Sequence, residues 1–459
     1  MERLIKLLKA NKDIADYRIS EEKVHSYQLF FVKNKLETNR LSDSYKIKVT
    51  VYVDMEKKAR GNGDFEYAEY QSDEEVIDNI NEAVFNAKLA LNPYFELPKK
   101  QEKPIELESN FKDRDFALIA EDVAKAVFAN KMDDVLYSAA TEIFLNKVET
   151  HITNSQGLDN QETRYYGEIE LIPTYDGKDK EVEIYHMIRF SNFDFDEIKN
   201  GVKEVLDIVK DRYRAIDLPK GLDGTNIIID GDEVGQVFAY YTRDLEYTAK
   251  FTQSNLSELG QNVQGEDVKG SSLTLSVVPF VKGASGSKSI DEDGISLKEC
   301  QIIENGIAKN RWGGNAVGYF LGEKNPTGNL PIIKVAPGEK SFAEMAKKPY
   351  IRCVRFSAMQ MDRLSGLVGG EVRLGYYFDG EKEIPVTGFT FTGNLHELKG
   401  LMEYSKEEIT YSRYHGPNNI LLPKTKIVYR IIFIKNTPCQ TLLMWGFILE
   451  KVKNVKTKK

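Results

Sequence analysis

The chain has 459 residues, 41% hydrophobic and 29% charged, and its 63 basic and 71 acidic side chains leave a net charge of −8. That length exceeds one compact core and predicts two or three domains, while the composition argues against global disorder. The acid excess supplies no basic stripe to replace counterions on phosphates, which argues against direct DNA binding.

Cys300, Cys353 and Cys439 are widely spaced and odd in number, so neither a disulfide scaffold nor a Cys-rich metal site is indicated. No secretory apolar core follows Met1-Glu2-Arg3-Leu4-Ile5-Lys6, and no stretch reaches the length of a membrane helix. The expectation is a cytoplasmic protein.

Residues 1–12 predict a short amphipathic helix, and Lys46–Val53 alternates polar and apolar residues as a strand does. Gly61-Asn62-Gly63-Asp64 reads as a turn. Ser72 and Glu75 form a capping box that starts a helix, with Val76, Ile77, Ile80, Val84, Ala87 and Leu91 on one face. The proline-rich, charged stretch 92–110 reads as a linker.

Beyond it the pattern predicts a helix over 113–130, strands at 143–153, 164–174 and 182–190, and a helix over 194–215. That helix has Ile198, Val202, Val205, Leu206 and Val209 on its apolar face. From Leu222 onward, glycine-punctuated strands dominate, with a helical segment at 232–258. The reading is an α+β protein: an N-terminal two-part region of strands plus helices, then a β-rich C-terminal domain. The expected units are 1–98, 111–218 and 222–428, with an extra tail at 429–459.

The third unit carries, in order, Asp291-Glu292-Asp293-Gly294, Ile303-Glu304-Asn305-Gly306, Pro326-Thr327-Gly328-Asn329-Leu330, Ala336-Pro337-Gly338, Gly369-Gly370-Glu371-Val372 and Thr390-Phe391-Thr392-Gly393-Asn394-Leu395. Upstream lies Thr153-Asn154-Ser155-Gln156-Gly157. This ordered set resembles the TldD/PmbA family, once called modulators of DNA gyrase, over about residues 14–428.

The resemblance implies much about chemistry. The family's catalytic branch is a metallopeptidase with an HExxxH motif on a helix early in the third domain. Two imidazoles there hold a zinc-like ion and the carboxylate activates its water. In this chain the matching positions are Ala239, Tyr240 and Asp244 in the segment Gly235–Asp244. The five histidines are His25, His151, His186, His396 and His415, so none lies between 187 and 395. The expectation is a chain with no catalytic residues, no metal and no cofactor, similar to the PmbA/TldE branch that partners TldD. His415-Gly416 stands where the catalytic branch carries a Cys-Gly pair, which leaves His415 as an isolated ligand candidate.

Several other patterns have simpler readings. His396-Glu397 lacks a second histidine and reads as a surface or capping pair. Ser285-Gly286-Ser287-Lys288 matches an S-x-x-K pattern without its companion motifs. Gly61-Asn62-Gly63 and Gly313-Gly314 lack the lysine of a phosphate loop. Asp291-Glu292-Asp293 reads as a solvated turn rather than a calcium loop. Tyrosine pairs such as Tyr240-Tyr241, Tyr165-Tyr166 and Tyr376-Tyr377 fit a core as well as an interface. The tail, with its apolar runs 429–434 and 441–449 and lysine-rich end, has no match in the family's pattern.

The expected function is a non-catalytic subunit that joins a TldD-type partner, as a hetero- or homodimer, to process unfolded peptides. The alternatives are a metallopeptidase with a divergent site at His415 and a regulator acting on DNA gyrase.

Overall fold

The computed structural model describes residues 1–347 and 349–429. Beyond Tyr429, the tail expected at 429–459 lies outside the described residues.

The N-terminal half is built on one antiparallel sheet. Its strands are β1 (Asp16–Val32), β2 (Lys35–Met55), β3 (Ala59–Tyr67), β4 (Asn92–Pro93), β5 (Leu136–Asn154), β6 (Asp159–Asp176), β7 (Glu181–Glu183) and β8 (His186–Phe190). They run β4-β3-β2-β1-β5-β6-β7, with β8 also paired to β6. Long-range pairing of β1 with β5, from Arg18 opposite Asn154 to Val32 opposite Ala140, joins the segments on either side of the linker.

Four helices cover one face of this sheet: α1 (Glu2–Ala10), α2 (Asp73–Leu89), α3 (Phe116–Phe128) and α4 (Phe195–Arg214). The Ser72–Glu75 capping box forms at the start of α2. Asp115 and Asp194 cap α3 and α4 by accepting first-turn N–H groups. Tyr17 and Ile19 of β1 bury under α1 and α2, while Leu29 and Phe31 bury under α3 and α4. These residues share a parity, so both helix pairs lie on the same face.

The apolar face of α4 buries as expected. On α2 the expectation needs correction, because Ile77 is 42% and Leu91 73% exposed. The stripe facing β2 and β3 is narrower, and Leu91 falls beyond the last helical turn.

The C-terminal domain holds a nine-stranded and a six-stranded sheet around a shared apolar core. A fifth helix, α5 (Val234–Asp244), buries Val237, Phe238 and Tyr241 in that core. The architecture is α+β. No helix among the described residues is long and apolar enough to cross a membrane.

Candidate functional site

Helix α5 follows directly from the strand Asn226–Asp230, which pairs parallel to Tyr350–Met361 inside the large sheet. Position and burial are thus set by the sheet, and the side chains decide the chemistry.

The three positions singled out on α5 offer no ligand set. Ala239 is half-buried and has no donor atom. The Tyr240 ring is buried, and burial, with Asp244 nearby, pushes its phenol up to about 12. Asp244 is only 3% exposed, and its Oδ1 is already engaged. It accepts the Leu256 N–H at 2.6 Å and pairs with Arg363 Nη1 at 2.9 Å. Arg363 in turn holds the Ser254 segment, and its carbonyl bonds His396 Nε2 at 3.0 Å. His396 is exposed, and its N–H is capped by Asn394.

His415 does not complete the set. It lies on the strand Tyr414–Pro417, where its neighbour Tyr414 stacks on Phe238 of α5 at 6.0 Å. Alternation along the strand sends His415 to the opposite face. There Nδ1 meets Thr410 Oγ1 at 2.9 Å and Nε2 lies 3.6 Å from Glu408. Among the described residues, no group of three or more His, Cys, Asp or Glu side chains is placed to hold a metal ion. A helix-borne zinc-like ion therefore does not fit these residues.

A different set of residues converges at the seam between the N-terminal sheet and the C-terminal domain. Asp291, expected in a solvated turn, is 3% exposed there, a reversal caused by packing against the uncovered sheet face. Its Oδ1 accepts the N–H groups of Asp293 and Ile295 at 3.0 and 2.9 Å, and its Oδ2 that of Asn329 at 3.1 Å. Burial, reinforced by the neighbouring Asp293, raises its carboxyl to about 7.

Across the seam, Arg18 pairs with Asp293. Asn160 donates to the Gly294 carbonyl at 2.8 Å, and Glu162 accepts the Ser289 hydroxyl at 3.0 Å. Gly294 has φ +81, and a Cβ there would sit 2.5 Å from Leu158. Gly328 has φ +76 and leaves room for Asp291 Oδ2. The turn at Asn154–Gly157 anchors the start of β1: Ser155 Oγ and Gln156 Nε2 donate to Asp16, which also pairs with the buried Arg60 at 2.9 Å. Two of the sequence motifs, 291–294 and 326–330, thus build one interdomain joint. The sequence reading missed it, and the spaced glycines were the available signal.

Ser285, in the S-x-x-K pattern, has a buried hydroxyl with no hydrogen-bond partner, and Ser287 Oγ donates to the Ala284 carbonyl at 2.8 Å.

Comparison with known proteins fits this geometry. Residues 225–428 match the family model of the PmbA/TldA metallopeptidase C-terminal domain. Those residues form a C-terminal domain of the PmbA/TldD family. An uncharacterized protein of Methanocaldococcus jannaschii is 25% identical over 270 residues, a match spanning 54% of this chain and 59% of that relative's length.

Solved structures share the fold over 93% of this chain. A Thermotoga maritima protein described as a modulator of a DNA gyrase has a TM-score of 0.74 at 17% identity, with 99% of its own chain covered. TldE of Thermococcus kodakarensis has a TM-score of 0.73 at 16% identity, again with 99% covered. A Bacteroides thetaiotaomicron protein described as a modulator of DNA gyrase has a TM-score of 0.76 at 13% identity, with 98% covered.

Proposed function

We propose that this chain is the non-catalytic subunit of a TldD-type metallopeptidase complex that acts on unfolded peptides in the cytoplasm. The observation that carries this reading is α5. Where a metallopeptidase of this family needs two imidazoles and a carboxylate, this helix has a methyl group, a buried phenol and an aspartate spent on Arg363. The likeness in fold to a protein named TldE agrees with it. In this role the chain supplies walls and binding surface, and the catalytic relative supplies the metal-activated water.

Purifying the chain alone and together with a catalytic relative, then following cleavage of an unfolded peptide, tests the proposal. The expected result is cleavage only by the complex, at a rate lost when the relative's metal is chelated. Cleavage by this chain alone, abolished by His415→Ala, would overturn it.

A further inference from the structure

A cleft of about 490 Å³ opens between α4 and the large sheet of the C-terminal domain. That volume lies in the range of small-molecule sites, roughly 300–1,000 Å³. Along the strand Tyr350–Met361, alternation sends Arg352 and Val354 into the cleft and Cys353 into the apolar core behind it. In a regular strand Arg355 would follow Cys353. Instead the ladder slips: Cys353 pairs with Gly375 and Arg355 with Leu374, so Val354 has no partner opposite. A bulge of this kind re-aims a side chain. Arg355 thus also lines the cleft, and the place on the core face goes to Phe356, which packs against Phe391.

Most charges around the cleft are matched within it. Arg352 pairs with Asp230 at 2.8 Å and with Glu383 at 2.9 Å. Lys203 pairs with Asp207 at 2.8 Å, and Asp207 also takes Lys210 at 3.0 Å. Arg355 forms no ion pair among the described residues. Its Nη1 donates to the Val354 carbonyl at 2.7 Å, which fixes the guanidinium, and its Nε is buried without a hydrogen-bond partner. A cation held in place and partly desolvated gains most from an incoming carboxylate. Glu204 of α4 lines the same cleft, is exposed, and is likewise without an ion pair among the described residues.

We infer that this cleft binds a small apolar zwitterion, an amino acid or dipeptide, with its carboxylate on Arg355 and its ammonium at Glu204. One unmatched cation and one unmatched anion in a single cleft call for a ligand carrying both charges. Val354 and Ile409 give its side chain an apolar wall. The site is read from its own residues and does not rest on the assignment of α5.

Calorimetric titration of the purified full chain with leucine and with alanyl-leucine is the test. At least one is expected to bind at a single site with a dissociation constant below about 1 mM. Arg355→Gln is expected to weaken that binding by at least about tenfold. Amidating the ligand's carboxylate should do the same to wild type, which needs no variant to fold. Glu204→Gln, at an exposed position, is expected to weaken binding about threefold and to make no difference to the N-acetylated ligand. Absence of binding by both ligands up to about 10 mM would overturn the inference. So would binding indifferent to Arg355→Gln and to amidation. Inorganic phosphate bound as tightly as the zwitterions, with Glu204→Gln without effect, would also overturn it by marking a site for anions only. Every readout is binding rather than cleavage, so the assignment of α5 stands or falls separately.

Discussion

Two buried aspartates in the C-terminal domain have opposite surroundings. Asp244 on α5 faces the guanidinium of Arg363, and the pair lies at 4% and 14% side-chain exposure. Asp291 at the seam forms no direct ion pair among the described residues and is held by backbone N–H groups, with a second carboxylate, Asp293, nearby and paired to Arg18. The first charge is matched by a direct ion pair, whereas the second is held mainly by backbone dipoles. A carboxylate at a ligand position on α5 is therefore part of the scaffold, while the titrating carboxylate belongs to the joint between domains.

The largest expected effect comes from removing the match. Arg363→Ala leaves Asp244 as an uncompensated buried charge and is expected to cost about 3–5 kcal/mol in denaturant unfolding. Restoring much of that with a second change, Asp244→Asn, would confirm that the cost is the orphaned charge. A loss under about 1 kcal/mol for the single variant would break the contrast.

Asp291 is expected to act through pH. Its folded pKa of about 7 lies above the ordinary carboxylate value, so between about pH 4 and 7 the folded state binds the extra proton. Its contribution to stability is thus fullest below about pH 4 and declines as pH rises through 7. The stability of wild type relative to Asp291→Asn is expected to fall between pH 5 and 8. A difference flat with pH would remove the seam's titrating role.

The smallest effect is expected at the neutral partner across the seam. Asn160→Ala deletes the bond to the Gly294 carbonyl and is expected to cost about 1–2 kcal/mol. Limited proteolysis should then cut the 285–298 segment sooner than in wild type.

Local signals were legible in the sequence. The Ser72–Glu75 box and the apolar stripe of α4 each depend on residues a few positions apart. That no histidine lies between 187 and 395 was also plain, since it needs only a list of positions. The Asp244–Arg363 pair spans 119 residues and Asn160–Gly294 spans 134, so no local pattern marks either. Burial of Asp291 and exposure of Leu91 were misread for the same reason: each is decided by what packs there from elsewhere.

The most direct test of the central claim is elemental analysis of the purified full chain, prepared without chelators or a metal-binding tag. A non-catalytic α5 predicts less than about a tenth of an equivalent of zinc or any other transition metal. A full equivalent that disappears in His415→Ala would contradict it and make this chain a peptidase in its own right.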